Sequence, residues 1–89
     1  MEIEIGSPIC CSPKKCVLGK QSTGTRTNVR IDMRCPPATK AVGTYHTHPG
    51  GQSVLSTLDI VNLQKAGLPV GCVKGKQGLK CYRVPLDKR

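Results

Sequence analysis

Hydrophobic and polar positions along the chain change period several times, and each change predicts an element. Residues 2–5 alternate as Glu-Ile-Glu-Ile, a short strand signature with both carboxylates on one face. A Cys- and Pro-containing stretch follows, and Cys16-Val17-Leu18 is expected as a short strand. The polar run from Gln21 to Thr27, with Gly24, suits a hairpin loop. Val29, Ile31 and Met33 alternate with Asn28, Arg30 and Asp32, the pattern of a half-buried strand. Cys35-Pro36-Pro37 ends it, because proline cannot donate to a sheet ladder.

Ala41 to His46 is the next predicted strand, interrupted by the loop-forming Pro49-Gly50-Gly51. Ser56-Thr57-Leu58-Asp59 opens a helix to about Ala66, stopped by Gly67. Leu58, Ile60, Leu63 and Ala66 are expected on its buried side. Val70 to Val73 and Leu79 to Val84 read as two closing strands joined by a Lys-Gly-Lys-Gln-Gly turn. The order predicts a small α+β domain over residues 1–89, with a mixed or antiparallel sheet and one main helix after the strand that carries the histidines.

Composition narrows this picture. A chain of 89 residues without Phe or Trp must build a small aliphatic core, and a metal, a disulfide or a partner subunit would support it. No apolar run reaches the length of a membrane span and Met1-Glu2-Ile3-Glu4 does not read as a signal peptide, so a cytoplasmic protein is expected. Six cysteines stand against that expectation, unless the source is one of the hyperthermophiles whose intracellular proteins carry disulfides. Cys72 and Cys81 lie in neighbouring predicted strands and form the first candidate bridge. The six are Cys10, Cys11, Cys16, Cys35, Cys72 and Cys81; Cys10, Cys11 and Cys16 could form a second zinc site, though no CxxC pair supports one, and free buried thiols plus one or two bridges fit the spacing better.

The formal charge is +9, from 14 Lys and Arg against five acids. The basic residues are scattered and lack the stacking side chains or motif of a nucleic-acid reader. Attraction to an acidic protein partner, or solubility, accounts for the charge as well.

The chemistry concentrates in His46-Thr47-His48-Pro49, followed by Ser56 and Asp59. Alternate residues of a strand share a face, so His46 and His48 can converge on one point. Asp59 can reach that point from the start of the helix. Two imidazoles and a carboxylate leave a fourth tetrahedral position open, as catalytic zinc sites do. A simpler reading treats the histidines as loop residues and Ser56-x-x-Asp59 as a capping box. Capping, however, requires neither histidine nor Pro49.

This pattern of His-x-His, seven residues, Ser, two residues, Asp resembles the signature of the JAMM (MPN+) zinc metalloproteases, of the minimal prokaryotic or archaeal type. Gly43, Tyr45 and Pro49 agree at the flanks, and the resemblance runs from about Val29 to Val84. It implies a truncated JAMM/MPN-like, cytidine-deaminase-like architecture. It also implies zinc held by His46, His48 and Asp59, with Ser56 donating a hydrogen bond to the oxyanion during peptide hydrolysis.

The general base of that family is a glutamate on a strand well before the histidines. Glu2 and Glu4 are the chain's only glutamates; Glu4, further from the terminus and followed by Gly6, is favoured over Glu2. The implied substrates are ubiquitin-like modifiers on lysine, or peptides, gripped at sheet edges or through a partner. The alternative is an inactive scaffold of the same fold. A small basic RNA-binding domain rests on charge alone.

Overall fold

A computed structural model describes residues 3–86. Its elements are β1 (Ile5–Cys11), β2 (Cys16–Leu18), β3 (Ser22–Thr23), β4 (Lys40–Thr47), α1 (Thr57–Ala66), β5 (Val70–Gly75) and β6 (Gly78–Arg83). They form a mixed six-stranded sheet in the order β2-β1-β4-β5-β6, with β3 also paired to β1. The β4–β5 pair is parallel and α1 makes the crossover between them; the other pairs are antiparallel. The result is α+β, as the element order predicts.

Strand β1 starts where the first strand is expected to end, and it contains Pro8. Proline lacks the N–H that a central strand needs on both sides. The outer partner of β1 is split at this point: β3 pairs with Ile5 and Gly6, and β2 with Ile9 to Cys11. On this outer side Pro8 is met by the amide of Gly19, which donates to its carbonyl at 2.9 Å, while its inner side faces Thr44 of β4. A Cβ at Gly19 would lie 2.6 Å from the Pro8 ring, so glycine is the residue that permits this approach.

The expected strand at Val29, Ile31 and Met33 is absent; residues 28–36 belong to no strand. The three apolar side chains are nonetheless half-buried. Val29 and Ile31 press on Gly6, and Met33 packs against the core. Alternation here reports a segment lying across the sheet face, not one hydrogen-bonded into it. The bridge from Cys10 to Cys35 ties its far end to β1.

Helix α1 begins and ends where its signals place it. Ser56 is the N-cap, its side chain accepting from the Asp59 amide while the Asp59 carboxylate accepts from the Ser56 amide. At the C-terminus, Gly67 takes a left-handed φ of 71°. The Gly67 and Leu68 amides bond back to Gln64 and Leu63, the Schellman arrangement that satisfies the last carbonyls. Leu63, Leu68 and Val84 form the core beneath it, with Met33, Ala41, Leu55 and Ile60 around them. Leu58 and Ala66, expected inside, are exposed, Leu58 by 67%; both line an open cavity instead of the core.

All six cysteines are bridged, as Cys10–Cys35, Cys11–Cys16 and Cys72–Cys81. Cys72 and Cys81 are direct partners across β5 and β6, as their strand positions suggest. The other two bridges correct the alternatives of free thiols and of a second zinc site at Cys10, Cys11 and Cys16, since none of the cysteines is free. Among the described residues no helix is long and apolar enough to cross a membrane.

Candidate metal centre

Central strand β4 carries His46 to its end and delivers His48 just beyond it. His46 lies opposite Gly6 on one side and Val73 on the other, and it is 5% exposed. The His48 amide donates to the Lys74 carbonyl, keeping the chain beside β5 for one more residue. The loop then returns so that Ser56 and Asp59 open α1 over the same end of the sheet.

The three expected ligands meet. The Nε2 atoms of His46 and His48 are 2.8 Å apart, and Asp59 Oδ2 lies 3.3 Å from the first and 3.7 Å from the second. Zinc–ligand bonds of about 2.0–2.2 Å in a tetrahedron separate the donor atoms by roughly 3.3 Å, and the observed edges bracket that value. The donor chemistry fits as well. The Gln52 carbonyl lies 3.1 Å from His48 Nδ1; a proton on Nδ1 serves that contact and leaves the Nε2 lone pair facing the shared point. Three electron-pair donors crowded at one position require a proton or a cation between them, and together they could hold a metal ion.

Asp59 is shared between the cap and this point. Burial works against its ionisation, but the contact with His46 and the Ser56 amide outweigh burial and hold the carboxyl down at about 2. Ser56 Oγ accepts from the Asp59 amide. A hydroxyl has one proton to donate besides, so capping and donation into the cavity are compatible.

Glu4 comes from the other side. Its amide donates to Thr25 and its carbonyl accepts from Gly24, which fixes its backbone beside β3. It is buried, 8% exposed, and lines the same cavity of about 910 Å³ as His46, His48, Ser56 and Asp59. Burial pushes its carboxyl above the usual range; His46 and His48 pull it down, and Asp59 adds to the rise. Glu2 lies outside the described residues.

Some contacts escape sequence reasoning. Gln52 acts through its main-chain carbonyl, which no residue pattern announces. Ser53 is completely buried and hydrogen-bonded to the β5–β6 hairpin, yet in sequence it is one more polar loop residue. Compared with known proteins, the chain matches no family model, no curated protein and no solved structure.

Proposed function

We propose that this chain is a zinc-dependent peptidase or isopeptidase of the JAMM type, cleaving an amide bond, with ubiquitin-like modifiers on lysine among its substrates. The observation that carries the reading is the convergence of His46, His48 and Asp59 at one point, in a cavity that also holds the buried Glu4. The β4–α1–β5 unit, with the histidines at the end of its first strand, suits a truncated JAMM/MPN-like architecture.

His46, His48 and Asp59 would hold the ion. Bound zinc supplies Lewis acidity and lowers the pKa of water towards neutrality. Glu4 takes the proton from the attacking water and passes it to the leaving amine. Its raised affinity for protons suits a group that must accept one and give it up near neutral pH. Ser56 donates a hydrogen bond from its hydroxyl to the oxyanion, a contact whose loss raises the barrier by about 2.7–4 kcal/mol. The open cavity between α1 and the Val29–Met33 segment admits an extended chain to these groups. Three disulfides suit an oxidising compartment or the cytoplasm of a hyperthermophile.

Zinc-loaded protein incubated with ubiquitin-like proteins joined through lysine, and with peptide amides, should release the amine product. Glu4→Gln should lower turnover by about 10²–10⁴-fold while zinc stays bound. Turnover unchanged in Glu4→Gln would remove Glu4 from this role. A zinc-loaded chain that cleaves no amide would leave the scaffold reading.

A further inference from the structure

The loop between the two halves of the metal centre, from Pro49 to Leu55, is held from one direction. The β5–β6 hairpin grips it through residues that the hydrolytic reading does not use. Ser53 Oγ accepts from the amides of Gly75 at 3.0 Å and Gln77 at 3.1 Å, and donates to the Gly78 carbonyl at 2.6 Å. A hydroxyl has one proton and two acceptor sites, so its capacity is filled. The Ser53 carbonyl accepts from the Tyr82 hydroxyl, and the Lys76 amide donates to Gly51.

One connection reaches the metal centre. The Ser53 N–H donates to Gln77 Oε1 at 2.8 Å. The carbonyl of the same peptide unit, Gln52, meets His48 Nδ1 at 3.1 Å. In a planar trans peptide the N–H and C=O point in opposite directions. A single rigid plane is therefore held at one end by the hairpin and presses its other end on the histidine ring. Resting on the metal-centre reading above, the geometry points to Ser53 and Gln77 as positioning residues for the metal. Through the Gln52–Ser53 peptide they fix the tautomer and ring angle of His48. Cys72–Cys81 closes the hairpin that carries Gln77, so the third bridge belongs to the same device.

Gln77 is exposed, so its replacement spares the core. The test uses the full chain, with Co²⁺ as the probe, in the parent and in Gln77→Ala, Gln77→Glu, Ser53→Ala and Asp59→Ala. Partners that orient a ligating histidine typically contribute 10–100-fold to metal affinity. Gln77→Ala is expected to weaken Co²⁺ binding by about 10-fold and to alter its visible absorption, with thermal unfolding little changed. Gln77→Glu keeps an acceptor oxygen and should restore parent binding. Ser53→Ala should weaken binding at least as much as Gln77→Ala. Nitrogen NMR of the metal-free protein should show the His48 proton on Nδ1 in the parent and redistributed in Gln77→Ala.

Parent-like affinity, spectrum and His48 tautomer in both Gln77→Ala and Ser53→Ala would overturn the positioning role. If Asp59→Ala alone then lost Co²⁺, the metal centre itself would stand. A parent that takes up no Co²⁺ would overturn the metal centre and the positioning role together.

Discussion

Two regions wall the same cavity and are held there by different means. Residues 46–67 carry every expected metal ligand; the capping box at Ser56 and Asp59 and the glycine cap at Gly67 are short-range, while the loop between β4 and α1 docks on the β5–β6 hairpin through residues 22–29 positions later. Residues 4–35 carry Glu4 and the facing wall. They are held by pairing across the sheet, by Val29 and Ile31 resting on Gly6, and by bridges to Cys16 and Cys35. On the proposed reading, binding the ion and moving the proton fall to different regions of the chain. Helix α1 and its caps are specified locally, while the loop before it and the whole second region acquire their geometry only once the sheet has assembled.

The strongest way to break that comparison is to untie the second region. Cys10→Ser with Cys35→Ser opens a closure spanning 25 residues, for which chain entropy suggests a loss of about 3.5 kcal/mol in unfolding free energy. Denaturant unfolding should show this loss, while zinc content stays at the parent level because no ligand lies in the untied region. A parallel fall in zinc would mean that the regions are not independent. A smaller effect is expected within the first region. Ser56→Ala removes the side-chain half of the cap and should lower stability by about 1 kcal/mol, read from the midpoint of the same transition.

The smallest effect lies on the outside of the crossing segment. Hydrogen bonds from the Arg34 side chain and amide hold the Asp32 carboxyl down at about 2. A depressed carboxyl contributes stability above its ordinary pKa and loses it as pH falls towards the depressed value. Arg34 is exposed and Asp32 only half-buried, so solvent screening keeps the contribution small. NMR titration of Arg34→Ala should show Asp32 returning upwards, with native stability near neutral pH scarcely changed.

The same division explains what the sequence discloses. Helix α1, its caps and the Cys72–Cys81 pair follow from residues close together in the chain, where capping chemistry and hairpin register act directly. The convergence of His46, His48 and Asp59 follows from strand alternation and the helix start. The path of β1 does not, because Pro8 argues against a central strand until the split between β2 and β3 is known. Nor does the placement of Val29, Ile31 and Met33, whose alternation marks a buried face without naming what covers it. Six cysteines allow 15 pairings; Cys72–Cys81 and Cys11–Cys16 each join direct partners across a hairpin, whereas Cys10–Cys35 has no local reason. The exposure of Leu58 and Ala66 depends on a cavity that forms between the helix and a segment some thirty residues earlier. Glu4 is legible as a residue, but its burial beside the ligands is a product of tertiary structure.

Metal content of the purified chain, beside that of Asp59→Ala, tests the central claim most directly. The account predicts one equivalent of zinc per parent chain, by mass spectrometry after reconstitution, and little in the variant. A folded parent that binds no zinc would contradict it, and would leave Ser56 and Asp59 as a helix cap with two histidines sharing a proton beside it.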